Sequence, residues 1–293
     1  MKAHQIVSTN CGTLWVVATP IGNLADLSPR ARDVLARVSR IAAEDTRHSG
    51  GLLAHLGVLT PLVSLHEHNE RERIPSLLSA LEAGDDLALI SDAGTPLVSD
   101  PGYRLVRAAA EAGLPVRAVP GASAPLAALA VAGLPSDRFC FEGFLPHAGG
   151  ARRRRLEALL SQPVTTILFE SSHRVRAAAD DLAALAPERL VFLGRELTKQ
   201  FEEHYRGVAD ELPAWLDADA NRLRGEFVLI LAPAPQAADP ESEDAPLADE
   251  HERLLGALLG ELPLKRAVRV LADATGVPRN RVYARALRLK DEG

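Results

Sequence analysis

The stretch LISDAGTPLVSDPG, residues 89–102, decides how this chain is read. An apolar run, Leu87 to Ile90, stops at Ser91-Asp92. It gives way to a turn carrying Gly94, Gly102, Pro96, Pro101, two carboxylates and no lysine or arginine. Glycine lets a backbone approach a ligand without a Cβ in the way, and proline stiffens that approach. Two more turns of this kind follow apolar runs: ATPIGN (18–23) and VPGASA (119–124). In an open α/β sheet, ligands bind beyond the carboxyl ends of the strands, where such loops converge. Main-chain N–H and C=O groups with Asp92, Thr95 and Ser123 suit a neutral or cationic polar ligand better than a triphosphate, which would want a base nearby. Taken singly, each loop also reads as a plain tight turn between strand and helix.

Working outward, short apolar runs alternate with helical patterns. TLWVVATP, RIAAED, TPLVSLHE, DLALIS and LPVRAVPG read as strands. LSPRARDVLARVSR reads as a helix with Ser28 at its N-cap and Pro29 at its first position. GGLLAHLG, RIPSLLSALEAG and SAPLAALAVAGL are further helical stretches, and DPGYRLVRAAAEAG is one capped by Asp100. This alternation predicts a mainly parallel sheet with helices on both faces. Beyond about Pro135 the strands are FCFEGF, TTILFES, RLVFLGREL and EFVLILAP, with RRRRLEALLS and HRVRAAADDLAALA as helices. The expected organisation is an α/β domain over 1–135 and a second over 136–232. An acidic Pro/Ala-rich linker over 233–250 and a basic helix–turn–helix-like extension over 251–293 complete it.

Composition excludes several classes. Two cysteines without a Cys-x-x-Cys rule out a disulfide framework or cysteine zinc site and fit a reducing cytosol. No apolar run reaches membrane-spanning length and the N-terminus lacks a signal-peptide core, so a cytoplasmic protein without membrane contact is expected. The net charge of -6 decides little, because the charge is unevenly spread. ARRRRLEALL (151–160) opens a helix with four arginines, which a helix N-terminus disfavours. From Leu264 onward there are eight Lys or Arg against three Asp or Glu. Local basic surfaces of this kind bind phosphate even on an acidic protein. The sequence carries no P-loop, no G-x-G-x-x-G after a strand, no H-E-x-x-H and no G-x-S-x-G. His66 and His68 flank Glu67 with no clear third ligand, so no metal site is expected.

The motifs LWVVATPIGNLADLSPRARDVL, AAEDTRHSGGLL, SLHEHNE, LISDAGTPLVSDPGYRLV, VPGASA, FEGFLP, ILFESSHR and GRELTKQFEE occur in order over about residues 12–232. Together they resemble the tetrapyrrole-methylase-like, class III S-adenosylmethionine-dependent methyltransferases, in their ribosomal-RNA-modifying branch. The resemblance implies a two-domain α/β fold with S-adenosylmethionine in the interdomain cleft, a small C-terminal helical extension and a homodimer. It also implies methylation of the ribose 2′-hydroxyl of a cytidine in the decoding region of 16S rRNA, within the assembled small ribosomal subunit. Carried over by motif, donor contacts fall on Pro20, Ile21 and Gly22, on Asp92, Gly94 and Thr95, on Ser123 and Ala124, and on Phe169 and Gly194.

A sulfonium donor carries its own leaving group, so the protein's part is alignment, plus a group that accepts the hydroxyl proton or steadies the alkoxide. Glu170, Arg195 and Lys199 are the expected catalytic groups. Expected RNA contacts are Arg47 of EDTR, His66 of HEHNE, the run Arg152, Arg153, Arg154 and Arg155, and Arg279 and Arg281 near the C-terminus. Phe141, Phe144, Phe169 and Tyr103 are read as core. The competing readings are a sister enzyme of the same fold acting on a precorrin-type tetrapyrrole or a diphthine-type residue, and a non-catalytic rRNA-binding assembly factor. EDTR, HEHNE, the arginine run and the basic tail weigh against the tetrapyrrole.

Overall fold

A computed structural model describes residues 11–235 and 247–291, so most of the expected acidic linker lies outside the described residues. Residues up to Pro233 form one compact unit and those from Ala234 a second.

The first five strands are β1 (Leu14–Val17), β2 (Arg40–Ala43), β3 (Leu62–Ser64), β4 (Leu87–Ile90) and β5 (Val116–Val119). They form a wholly parallel sheet in the order β3-β2-β4-β1-β5. Parallel strands need crossovers, supplied by α1 (Pro29–Arg37), α2 (Thr46–Leu56), α3 (Glu70–Glu82) and α4 (Tyr103–Glu111). Val34 and Leu35 of α1 and Leu53 of α2 pack on one face, with Trp15, Ile41 and Ile90. Leu77 and Leu81 of α3 and Leu105 of α4 pack on the other, with Leu14, Leu87 and Leu89. The central strands β1 and β4 are neighbours whose crossovers leave in opposite directions, toward β2 and β5. The loops after β4, β1 and β5 therefore emerge side by side at one sheet edge, with a crevice between them.

Ser28 caps α1 as expected, accepting the Ala31 N–H at 3.1 Å. Asp100 does not cap α4. That helix starts at Tyr103 after Gly102, and its free N–H groups at Arg104 and Leu105 donate instead to Oε1 of Glu70, at 3.1 and 3.4 Å. Glu70 comes from α3 and is 4% exposed. A buried carboxylate at a helix N-terminus is held by those N–H groups and by the helix dipole. Glu70→Ala is expected to lower stability by about 1–3 kcal/mol, read as a fall in melting temperature. Glu70→Gln, which keeps an acceptor, should lose less. Equal losses would mean that the contact is incidental.

The second sheet is mixed. Strands β6 (Phe139–Phe144), β7 (Thr165–Ser171), β8 (Leu190–Arg195), β9 (Glu203–Val208) and β10 (Glu226–Leu231) take the order β6-β7-β10-β8-β9. Only β6 and β7 pair in parallel. One face packs on α6 (Gly149–Leu160), α7 (Val175–Leu185) and α8 (Leu212–Asp217). The opposite face, through Ile167, Phe192, Val228 and Ile230, packs on Ala128 and Ala132 of α5 (Ala124–Ala132), together with Ile21. The helix that leaves the first sheet thus covers the second, which is why its sequence is apolar almost all round.

The C-terminal unit contains α9 (Asp249–Glu261), α10 (Leu264–Thr275) and α11 (Arg279–Asp291), around Leu255, Val268, Leu271, Val282 and Ala286. Gly276, at φ 74°, ends α10 in the left-handed conformation and opens the turn to α11. No helix among the described residues is long and apolar enough to cross a membrane.

Candidate active site

The three glycine- and proline-rich loops are fastened to one another. Thr19 and Gly94 exchange reciprocal backbone hydrogen bonds, Thr19 N–H to Gly94 O at 2.9 Å and Gly94 N–H to Thr19 O at 3.1 Å. Thr95 Oγ1 donates to Ala122 O at 3.0 Å, tying in the third loop. Gly94 sits at φ 77°, and a Cβ there would meet Ile21 Cγ2 at 3.2 Å. The 89–102 stretch is therefore hydrogen-bonded to both other loops of a three-loop wall.

Against this wall, facing the second sheet, lies a cavity of about 440 Å³, within the range of small-molecule sites. The first half contributes Ile21, Glu44, Asp92, Gly94, Thr95, Asp100, Ser123 and Ala124. The second contributes Phe144, Phe169, Glu170, Leu197 and Glu226. Five carboxylates line the cavity, and among the described residues no lysine, arginine or histidine does. Glu170 binds Arg174 at 2.9 Å and Glu226 binds Lys199 at 2.9 Å. Glu44, Asp92 and Asp100 have no ion pair among the described residues. Burial, and then the neighbouring charges of Asp100, Asp92 and Asp45, push the Glu44 carboxyl above its ordinary 4.5. Burial also raises Asp100 above 3.8, against a hydrogen bond from Ser91 and with Asp92 adding to the rise. Glu170 Oε1 accepts the Ser171 N–H at 2.8 Å, while its Oε2 is buried without a partner. Unneutralised carboxylates and a spare buried acceptor fit an organic cation that brings hydrogen-bond donors of its own.

Backbone strain marks the same place. All four non-glycine residues at positive φ among the described residues lie in two loops at this cavity: Leu97 (77°), Ser99 (70°), Glu196 (51°) and Thr198 (66°). Such conformations cost about 1 kcal/mol or more each and persist where the surroundings over-determine them, characteristically at ligand clamps.

A second concavity, of about 530 Å³, adjoins the same loops. It shares Asp92 with the first and is lined by Pro20 and Gly22 and by Arg47, His48, Ser49, Gly51 and His55 of α2. Positions 48, 51, 52 and 55 repeat at the spacing of one helix face. Ser49 Oγ is buried and has no partner. A Cβ at Gly51 would meet nothing within 4 Å, and one at Gly50 only Leu62 Cδ1 at 3.9 Å. Consecutive glycines inside a helix cost about 1 kcal/mol each relative to alanine, and packing requires neither of these.

The structure brings together Ile21, Asp92, Gly94, Thr95, Ser123, Ala124, Phe169 and Glu170 in the first cavity and moves Pro20 and Gly22 to the second. Gly194 lies in neither; it is packed within β8, where a Cβ would meet Leu197 Cδ2 at 3.0 Å. Of the expected catalytic groups only Glu170 lines the cavity. Arg195 is 8% exposed and donates to the carbonyls of Arg224 and Phe201, at 2.7 and 3.1 Å. Lys199 bridges Glu196 and Glu226, both at 2.9 Å, and its stem fills the space beside Gly22. Arg195 and Lys199 therefore brace the second half's cavity loop. Glu44, Asp100 and Glu226 are cavity residues that the motif reading does not assign.

The expected RNA contacts are dispersed. Arg47 lines the second concavity, and half-buried His66 meets His68 edge-on with ring centroids 6.0 Å apart. Arg152 and Arg153 both bind Asp181, at 2.7 and 2.6 Å, and Arg155 binds Glu142 at 2.5 Å. Arg154 is exposed and forms no ion pair among the described residues. In the C-terminal unit Arg279 pairs with Asp273 at 2.8 Å, and Arg281 lies on the same helix. Two of the aromatics read as core are open to solvent: Tyr103 is 63% exposed and Phe144 53%. Among the described residues, no group of three or more His, Cys, Asp or Glu could hold a metal ion.

Comparison with known proteins agrees with this geometry. Residues 13–213 match the family Tetrapyrrole (Corrin/Porphyrin) Methylases, and residues 245–290 match the RsmI C-terminal HTH domain. The chain is similar to the ribosomal RNA small subunit methyltransferase I of Escherichia coli O157:H7, 47% identical over 98% of this chain and 99% of that one. It is similar also to the protein of that name from Pseudomonas aeruginosa, 51% identical over 95% and 98%. In fold it is similar to a uroporphyrin-III C-methyltransferase from Thermus thermophilus solved with S-adenyl homocysteine. That similarity has a TM-score of 0.52 and 21% identity, covering 75% of this chain and 97% of that one. The chain belongs to the tetrapyrrole methylase family, in the group whose curated members are named ribosomal RNA small subunit methyltransferase I.

Proposed function

We propose that the chain transfers a methyl group from S-adenosylmethionine to the ribose 2′-hydroxyl of a cytidine in the decoding region of 16S rRNA. The observation that carries the reading is the acidic, base-free cavity behind the three-loop wall, in a chain nearly half identical to rRNA methyltransferases along its length. The donor supplies a methyl group on a sulfonium that leaves as a neutral thioether. Glu44, Asp92 and Asp100 favour that positive charge by through-space attraction in a partly desolvated site. Glu170 Oε2 offers an acceptor to the donor's polar groups. The backbone of the Gly94 and Ser123 loops fixes the donor's orientation, so the protein's contribution is mainly alignment. Asp92, which lines both hollows, is the carboxylate proposed to take the hydroxyl proton.

The raised carboxyls give this reading a pH dependence. Without a bound cation, Glu44 and Asp100 hold protons at pH values where they would be ionised in the unfolded chain. Apo stability therefore falls as pH rises from the ordinary carboxylate range through their folded values. A bound cation favours the ionised forms and expels those protons. Donor affinity is thus expected to rise with pH from the ordinary carboxylate range upward, measured calorimetrically across a pH series. A flat affinity would count against the cation.

The decisive experiment incubates labelled donor with small ribosomal subunits from cells lacking the enzyme and maps the label by nuclease digestion. Label on a cytidine ribose is the expected result, and label on a base or on protein would overturn the reading. The protein is proposed to work in the cytoplasm as a homodimer. The exposed apolar side chains Leu126, Val131 and Phe139 support a second copy as the partner that covers them, checked by sedimentation.

A further inference from the structure

We infer that the concavity over α2 seats the sugar–phosphate backbone of the acceptor RNA, adjoining the donor cavity at the shared residue Asp92. This inference rests on the methyltransferase reading and specifies where its substrate lies.

Four observations carry it. The two hollows share Asp92, beside the loops joined by the Thr19–Gly94 hydrogen bonds, so a ribose seated in one meets the donor at that residue. Their linings differ in character: the donor side has five carboxylates and, among the described residues, no base, whereas the α2 side, besides the shared Asp92, presents Arg47, His48 and His55. The Arg47 side chain is 92% exposed and its pair with Asp45, 3.2 Å away, is itself on the surface. Water and salt screen such a pair, and a phosphate can displace it. Ser49 lines the hollow, and its buried Oγ has no partner among the described residues, an unsatisfied hydroxyl beside the concavity. Finally, Gly51 of α2 lines the hollow, and a Cβ there would meet nothing within 4 Å. Among the described residues no Phe, Tyr or Trp lines this surface, so what it reads is backbone rather than a stacked base.

Two full-length variants test the assignment: Gly51→Leu narrows the hollow, and Arg47→Gln removes its most exposed charge. The readouts are equilibrium binding of unmethylated small ribosomal subunits between 50 and 200 mM salt, calorimetric donor affinity and melting temperature. Gly51→Leu is expected to weaken subunit binding about tenfold, the size of one charged contact. It should melt no lower than the unsubstituted protein and should bind donor equally well. Arg47→Gln is expected to flatten the plot of log affinity against log salt by about 0.7, the counterion yield of one single-strand phosphate contact. Unchanged affinity and slope in both variants would overturn the inference and leave the proposed reaction standing. Donor affinity falling in parallel would overturn it too, making the hollow part of the donor site. Label mapped to a base would overturn the ribose reading alone, and failure of the unsubstituted protein to bind subunits at all would overturn both.

Discussion

Asp92→Ala is expected to lower kcat/KM for methyl transfer by about a hundredfold while shifting the melting temperature by only a few degrees. Asp92 lines both hollows, so its loss removes a charge from the donor side and a polar anchor from the acceptor side. Structurally it has one modest task, accepting the Asp45 N–H at 3.1 Å on a half-buried turn. Asp92→Asn separates charge from shape. The amide oxygen can still accept from Asp45, but it neither attracts a cation nor takes a proton. Asn is therefore expected to be nearly as damaging as Ala in kcat, with donor KM raised. Activity restored by Asn would show that the carboxylate acts only as a loop fastener, and the general-base assignment would fall.

The second large effect is one of stability. Asp181, on α7, is 2% exposed and both its oxygens are occupied, by Arg152 and Arg153 of α6. Burial alone would raise its carboxyl, yet hydrogen bonds from the two arginines outweigh this and hold it below the ordinary 3.8. Asp181→Ala leaves the guanidinium of Arg152, 11% exposed, without its counter-charge. Removing one partner from a buried pair costs about 3–5 kcal/mol. For a unit of this size that corresponds to a fall in melting temperature of roughly 10 °C. Because the carboxyl is depressed, its contribution is complete above the ordinary carboxylate range and disappears as pH falls through the lower folded value. The difference between the two proteins should therefore shrink in acid. A loss below about 1 kcal/mol at neutral pH would mean that the pair behaves as a surface one. The arginine run is consequently divided: Arg152 holds α6 to α7, while Arg154 remains available to a phosphate.

How much of this could be read in the sequence depended on whether the signal was local. The three cavity loops announce themselves through glycine and proline, and the Ser28–Pro29 start of α1 is written in four residues. Strand β9 (Glu203–Val208) gives no such signal, because it is an edge strand with charged residues and a single buried side chain, Tyr205. Glu44 and Asp100 became cavity residues only through strand order: β2 lies beside β4, which sets Glu44 against the loop that carries Asp92 and Asp100. Asp100 before a proline has every mark of a helix cap, but a carboxylate 30 residues upstream, Glu70, takes that role. Arg195 ends a strand, where a polarising catalytic cation is placed, and only side-chain direction reveals that it grips backbone carbonyls. The left-handed conformations of Leu97 and Ser99 contradict local preference altogether, as expected where function selects the backbone.

The position of α5 limits how this molecule can be recombined. Its Ala128 and Ala132 are lid to the second sheet, although the helix belongs by connection to the first. A chimera joined near Pro135, the obvious seam in the chain, would marry a foreign lid to Ile167, Phe192 and Ile230 and leave mismatched volumes between them. Joining upstream of Ala124 would carry lid and sheet together, but would split the third cavity loop from its two companions. Donor specificity and the fit of the halves are thus inherited as a single piece, and exchange among relatives should succeed for whole residues 11–233 sooner than for either half.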